Sequence, residues 1–570
     1  MNKRLFPSTV FGFHPGTLLI VAALLLIFAA ALGLDLKSQG RVYNYLWSVT
    51  GETEPAKQLL GFGQYLMSST RRQPDTQPYA RIQNNHVNPF GVNTFLEQEV
   101  EPDKRERQVQ MIRGAGFHWI RQQFPWEDIE IDGKGDFIDR RHDRDGDGVN
   151  DEISAWDKYD NIVELADTYD LQIIARLSAP PAWSQPPGTT NHFTPPADFQ
   201  DFVDYAVAVA SRYRGRIHHY QVWNEPNLYP EWGDQTVNAE AYTDLLCRTY
   251  RALKAVDPDI RVITGAIGPT IDLSGRNAYD VLYLQRMYQA GAGDCFDILS
   301  VQGYGLWSGP TDHRLRQVTI NYQRHLWIRD LMVANGDAEK PIWISEAAWN
   351  PVPNDPTIAD LDRYGRVTME EAAEWAPLAY ERAIKEWPWI GVINYWYFKP
   401  ADDHEKGQSP YYFRLVEPDF TPTPIYESLK AYATSDDPRL FGPGRHSVER
   451  GMVSFSDITS IWYRFRMQGT NLYACYDQPP LWISYSIDRS THQRIETLPP
   501  ACVPLGNTLD GGEHTVEILL PGSSDRLESV IIIDHSTRQR IPWLLTGIVA
   551  ALFAAAILVS AVNARLFRGV

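Results

Sequence analysis

Cysteine is scarce in this chain: there are four in 570 residues, Cys247, Cys295, Cys475 and Cys502, with no C-x-x-C pair among them. This excludes a miniature fold built on disulfides and the common zinc and dithiol motifs, while the even count leaves room for two bridges. Positive charge is also short. Lys and Arg number 53 against 71 Asp and Glu, a formal net charge of -18, the wrong sign for a protein built to grip nucleic-acid phosphates. No solenoid-length repeat and no long low-complexity tract is present. Wholesale disorder is excluded by 44% hydrophobic and 22% charged residues. What the chain has in excess is aromatic surface. With 12% aromatics, including 18 Trp and 29 Tyr, it suits a cleft that stacks flat, uncharged rings, and sugars are the first candidate ligand.

Two uncharged apolar runs stand near the ends, 19 residues at 16–34 and 24 residues at 541–564. Each has the length and composition of a membrane span. The first also reads as a cleaved signal peptide, since Lys3 and Arg4 precede it and Ala29, Ala30 and Ala31 supply small residues; its length favours an uncleaved anchor. Basic residues at the outer flanks, Lys3 and Arg4 at one end and Arg565 and Arg568 at the other, favour both tips in the cytoplasm. The expectation is a cell-membrane protein whose long central segment, about 500 residues, lies outside.

Between the runs, residues 35–87 read as a polar stalk with some helix. From 88 to 436, eight short apolar runs alternate with amphipathic stretches of helical length. This is the pattern of an α/β (β/α)8 barrel, whose active site belongs at the C-terminal ends of its strands. The expected strands lie at 90–95, 119–122, 172–177, 219–223, 261–265, 298–302, 341–345 and 392–396. Helices are expected at 103–114, 159–169, 199–213, 239–256, 279–290, 314–335 and 369–386. Residues 437–535 lack helical periodicity and read as a small all-β sandwich, in which Cys475 and Cys502, 27 apart, form a natural cross-strand bridge. Cys247 and Cys295 are equally compatible with two buried thiols or a bridge.

The strongest chemical signal is Tyr220-Gln221-Val222-Trp223-Asn224-Glu225-Pro226, a strand ending in an Asn-Glu pair and stopped by proline. Its match is Pro341-Ile342-Trp343-Ile344-Ser345-Glu346. Hydrolysis of a glycosidic bond needs two such carboxyls, one to protonate the leaving oxygen and one to attack the anomeric carbon. By strand count they follow the fourth and seventh strands, which barrel closure brings to one mouth. Either Glu alone would read as a solvated loop carboxylate; the pair reads as a catalytic dyad.

With these motifs the stretch from about Pro89 to Tyr432 resembles clan A of the glycoside hydrolases, most closely families 39 and 5. The resemblance implies Glu225 as acid/base, Glu346 as nucleophile, and Asn224 as partner of the sugar 2-hydroxyl. It implies Arg121 beneath the nucleophile, Tyr304 hydrogen-bonded to it, and Trp396 as the floor of the sugar subsite. A nearby guanidinium keeps a carboxylate ionised and able to attack. Many clan members have His where this chain has Gln302, a neutral amide that cannot carry charge. Trp126, Trp183, Trp307 and Trp349 follow barrel strands and are candidate stacking platforms.

A second motif, Asp143-Arg144-Asp145-Gly146-Asp147-Gly148-Val149-Asn150-Asp151, sets carboxylates at alternate positions, the way a short loop wraps a hard cation. Residue 154 is Ser, not the bidentate Glu of an EF-hand, and the loop looks more like those of dockerin or thrombospondin-type repeats. A structural calcium held by Asp143, Asp145, Asp147, Val149 and Asp151 is expected, with no cofactor for catalysis. The resulting expectation is a membrane-anchored retaining β-glycosidase acting on poly- or oligosaccharide at the cell surface. A transglycosylase with the same residues is the nearest alternative, and a glycan-binding receptor on a retired barrel, which would need neither Glu225 nor Glu346, the more distant one.

Overall fold

The computed structural model describes residues 15–143, 147–456, 460–496, 498–499, 501–522 and 526–536. The apolar run at 541–564 and Asp145 lie outside the described residues. Two compact units divide the chain. One holds the N-terminal residues up to Thr70 with Thr311–Arg314 and Ser536; the other holds Arg71–Pro310 and Leu315–His535.

Among the described residues the smaller unit has three helices, α1 (Pro15–Lys37), α2 (Arg41–Thr50) and α3 (Pro55–Ser69). Asp35 Oδ1 accepts from the backbone N–H groups of Val42 and Tyr43 at 2.9 and 3.0 Å, so α1 ends by capping the first turn of α2. Leu36, Tyr43 and Leu46 form the unit's small core, with Leu32 and Phe62 packed against it. Residues 35–87, expected as a polar stalk with some helix, contain the two helices α2 and α3. Among the described residues no single helix is long and apolar enough to cross a membrane; Ala22–Lys37 and Arg41–Thr50 pass that test only as a pair bent by 69°.

The larger unit opens with eight parallel strands: β1 (Phe90–Thr94), β2 (Trp119–Pro125), β3 (Gln172–Ser178), β4 (His219–Val222), β5 (Arg261–Thr264), β6 (Leu299–Gln302), β7 (Ile342–Ala347) and β8 (Ile390–Tyr395). They pair in the order β5-β4-β3-β2-β1-β8-β7-β6. Bridges from Ile263 to Ile298 and from Ile267 to Val301 join the two edges. The result is a (β/α)8 barrel, with helices α4 (Pro102–Gly114), α5 (Asp157–Thr168), α6 (Phe199–Arg212), α7 (Ala239–Val256), α8 (Asp280–Gln289), α9 (His325–Ala334), α10 (Met369–Glu386) and α11 (Pro424–Ala433) around it.

Two helices depart from expectation. The stretch at 314–335 becomes α-helical only at His325, after a single 3-10 turn at Tyr322–Arg324, for two physical reasons. Val318, Thr319 and Ile320 form a β-branched run that resists helix. In addition, the carbonyls of Gln317 and Thr319 are satisfied by Arg324 Nη1 at 2.8 and 3.0 Å instead of by a helical ladder. The eighth barrel helix, α11, had no counterpart among the expected elements.

The sandwich follows. Its largest sheet is centred on Ser460–Gln468 and Glu513–Pro521, antiparallel over nine residue pairs. Both strands alternate buried and more exposed positions, which is what a half-buried strand requires. Cys475 and Cys502 are directly opposed and bridged, and Cys247 of α7 is bridged to Cys295 just before β6. Arg450, fully buried, fastens the sandwich to the barrel by donating to the carbonyls of Trp387 and Ala383 at the end of α10, both at 3.0 Å. The segment before β1 adds to this joint. Arg445 N donates to Pro78 O, Ser447 Oγ donates to Asn85 O, and Asn85 Nδ2 donates to Pro388 O.

Candidate active site

The two-residue period of the strands stacks the barrel interior in layers. At the N-terminal end Trp119, Ile174, Ile263, Ile298, Trp343 and Val392 form an apolar plug. Two residues further along several strands the interior turns polar, with Arg121, Ser300 and Ser345 joined by Gln221 of β4. Gln221 Oε1 accepts from Arg121 Nε at 2.6 Å, and its Nε2 donates to Ser345 Oγ at 2.9 Å. Arg121 also donates to Asn93 Oδ1 (2.8 Å), Glu346 Oε1 (2.9 Å) and Asn224 Oδ1 (2.7 Å). A planar fork with fixed donor directions, so engaged, aligns all four partners.

Strict alternation would send Ser345 inward and turn Glu346 away. The register of β7 shifts against both neighbours at this point, Gln302 pairing with Glu346 on one side and Tyr395 with Ala347 on the other. Such an irregularity re-aims a side chain, and here Glu346 joins the cavity wall. Its second oxygen accepts from Tyr304 Oη at 2.8 Å. On β4 the re-aiming falls to Trp223, whose φ of 74° is an uncommon conformation for a bulky residue. The indole is buried, and its Nε1 donates to Glu231 O at 2.7 Å, which holds the turn in place. Asn224 and Glu225 therefore emerge at the mouth. Gly268 leaves room for them, since a Cβ there would stand 3.0 Å from Glu225 Oε1 and closer still to Leu228.

The resulting cavity, about 780 Å³, is lined by Asn224, Glu225, Tyr304, Glu346 and Trp396 together with residues from several loops. Phe95 packs edge-on against Trp396, with ring centroids 5.4 Å apart. The two carboxyls are held differently. Glu346 carries an ion pair and a phenol hydrogen bond. Glu225 has its pKa pushed up to about 8, first by burial, then by the charge of Glu346 and of Glu231. The Gln302 amide lies near enough to favour ionised Glu225 a little, yet without the alignment of a proper hydrogen bond, so both its polar atoms are unpartnered. Burial also pushes Arg121 down to about 10, which leaves it charged at neutral pH.

Of the residues singled out from sequence, Glu225, Glu346, Asn224, Arg121, Tyr304, Gln302 and Trp396 come together here. The candidate platforms do not. Trp349 is buried, donates to Ser308 O at 2.8 Å and packs edge-on against Trp375. Trp183 donates to Glu130 O and lies edge-on to buried Trp126, which stacks on Tyr205. Trp307 is half exposed, away from the cavity lining. In the acidic loop, Asp143 accepts from Gly148 N and Asp147 from Val149 N, both at 2.8 Å. Among the described residues no three His, Cys, Asp or Glu side chains gather as a shared metal ion would need.

Several cavity residues were not read from the sequence. Glu231 accepts from Asn224 Nδ2 at 2.9 Å. Glu97, buried and hydrogen-bonded by Gln122 Nε2, is pushed up to about 7, chiefly by burial. Arg176 of β3 bonds Gln123 and lies near both carboxyls. Only Arg176 had a sequence signal, its position two residues beyond an inward Ile174.

No protein-family profile matches the chain. It is 40% identical over 76 residues to a β-xylosidase of Geobacillus stearothermophilus, a stretch covering 12% of this chain and 15% of that protein. Solved structures with similarity to it include a family 39 glycoside hydrolase from Bacteroides cellulosilyticus (TM-score 0.47, 16% identity, 78% of this chain and 83% of that one). A β-xylosidase from Caulobacter crescentus gives a TM-score of 0.43 at 12% identity, covering 79% and 97%. A GH5_18 enzyme from Streptomyces cattleya gives 0.43 at 17%, covering 63% and 86%. The proteins to which this chain is similar thus include members of families 39 and 5, the two that its strand-end motifs resemble.

Proposed function

We propose that this chain is a retaining β-glycoside hydrolase. The observation that carries the reading is the unequal treatment of two carboxyls in one cavity: Glu346 is paired with Arg121 and Tyr304, while Glu225 is held toward its neutral form. In this mechanism Glu225 donates its proton to the leaving oxygen as Glu346 attacks the anomeric carbon, and departure of the aglycone leaves a glycosyl ester on Glu346. Ionised Glu225 then takes a proton from water, which releases the sugar with its configuration retained. Asn224, with one amide hydrogen not engaged by Glu231, can donate to the 2-hydroxyl, and Trp396 can support the ring.

The deciding experiment is the stereochemistry of hydrolysis, followed by proton NMR on a panel of defined β-linked oligosaccharides. Retention is expected from the wild type. Glu346→Ala should lose turnover and regain part of it with azide, giving inverted product, whereas azide on Glu225→Ala should give retained product. Inversion by the wild type, or full activity in Glu346→Ala, would refute the assignment.

The substrate we propose is a poly- or oligosaccharide at the cell's own surface, with the chain anchored by its apolar runs and the barrel outside. Two disulfides in the barrel and sandwich support an oxidising compartment. Protease added to intact cells should remove the barrel and spare tags at both ends; a protected barrel contradicts this topology. A calcium ion in the 143–151 loop completes the proposal.

A further inference from the structure

After Glu225 the chain doubles back, and six residues later Glu231 returns beneath the pair of residues that precede Glu225. Its backbone oxygen accepts from Trp223 Nε1 at 2.7 Å and its carboxylate from Asn224 Nδ2 at 2.9 Å. One residue therefore fastens both the strained turn at Trp223 and the amide beside it. The chemistry of the partners fixes which way that amide points. A carboxylate can only accept and a guanidinium can only donate, so Nδ2 must face Glu231 and Oδ1 must face Arg121, whose Nη2 donates to it at 2.7 Å. Since Arg121 Nη1 also donates to Glu346, an unbroken chain of hydrogen bonds runs from Glu231 through Asn224 and Arg121 to Glu346. Glu231 lines the same cavity as Glu225.

We propose that Glu231 is a positioning residue of this site: it fixes the Asn224 amide from below and sets its own negative charge against Glu225. The proposal rests on the glycosidase reading for its kinetic consequences only. The groups acting on Glu225 are Glu346 from β7, Glu231 from its own loop, Gln302 from β6 and Arg121 from β2, with Tyr304 and Tyr364 on the cavity side. Of these, Glu231 adds negative charge without being asked to react. Burial raises the pKa of Glu231 above the ordinary carboxylate value, while Arg176 and the Asn224 amide pull it back toward the ionised form.

Two substitutions in the full-length protein separate the parts of this role. Glu231→Gln keeps an acceptor oxygen and the volume but removes the charge, and Glu231→Ala removes everything. With an unactivated leaving group, Glu231→Ala should lose about 10- to 100-fold in kcat/KM, the loss of a hydrogen bond to a charged group. Glu231→Gln should keep more of the rate on the acid side, while its alkaline limb moves down by about half a pH unit or more. The second readout needs no turnover. The Glu225 carboxyl is titrated by infrared difference against Glu225→Gln, and its midpoint should be lower when Glu231→Gln is also present. An unchanged midpoint in a folded Glu231→Gln protein overturns the proposal, whatever the protein hydrolyses. Full activity in Glu346→Ala would instead sink the glycosidase reading and leave the titration result standing.

Discussion

Arg121 and Glu346 meet at 2.9 Å inside the barrel, both almost fully buried, and the same guanidinium also bonds Asn93, Gln221 and Asn224. Removing it would strand a buried carboxylate and three amide oxygens at once. Breaking a buried pair from one side costs about 3–5 kcal/mol. Arg121→Gln is therefore expected to lower the denaturant midpoint substantially and to abolish activity, and Arg121→Lys, which lacks the planar fork, to recover little of either. Chemical denaturation and initial rates measured on the same preparations check this; a wild-type midpoint in either variant counts against it.

The pKa of Glu225 fixes two pH dependences. In the proposed reaction Glu225 is the proton donor and must enter protonated, so kcat/KM should fall on the alkaline side with a midpoint near 8. The stability effect has a definite sign as well. Raised in the folded protein from an ordinary 4.5 to about 8, Glu225 makes the native state bind more protons than the unfolded state across that window. Stability should then decline as pH rises from about 4.5 toward 8, at up to about 1.4 kcal/mol per unit for one group. Glu97, raised to about 7, acts in the same direction over the lower part of the range. Melting curves across pH should be flatter for Glu225→Gln; an equally steep decline would place the effect elsewhere.

Tyr304 donates to Glu346 Oε2 at 2.8 Å. Tyr304→Phe deletes that bond and little volume, so kcat/KM should drop by about 10- to 100-fold, the worth of a hydrogen bond to a charged acceptor, with only a modest fall in melting temperature because Arg121 still pairs with Glu346. A drop confined to stability would mean the phenol only packs.

If the acidic loop holds calcium, chelation should lower the melting temperature of the wild type and leave Asp145→Ala with Asp147→Ala unaffected. A ligand at 100 times its dissociation constant stabilises by about 2.7 kcal/mol. Identical responses from the two proteins would reduce the loop to a solvated acidic turn.

How far the sequence could be read depended on the range of the forces involved. The barrel was legible because each strand declares itself locally, and Glu225 and Glu346 because each ends such a strand. The bulge that turns Glu346 inward leaves no local trace, and neither does the reversal that brings Glu231 under Asn224. The first arises from pairings between distant strands, the second from a seven-residue loop whose contacts depend on the turn at Trp223. Trp349 shows the converse: a tryptophan after a barrel strand fits a sugar platform and a core filler equally well, and only its burial against neighbours such as Trp375 decides. The 314–335 stretch misled because its apolar spacing is helical while Arg324, tied to Asp280 at 2.5 Å, holds the preceding carbonyls in a loop.

The buried guanidinium of Arg450 grips the last turn of α10, immediately before β8 begins. In a parallel barrel that is the closed pole, and Glu225 and Glu346 open at the other. The sandwich is therefore a pedestal. It bears on the barrel's blind end, and none of its residues lines the cavity that opens at the other.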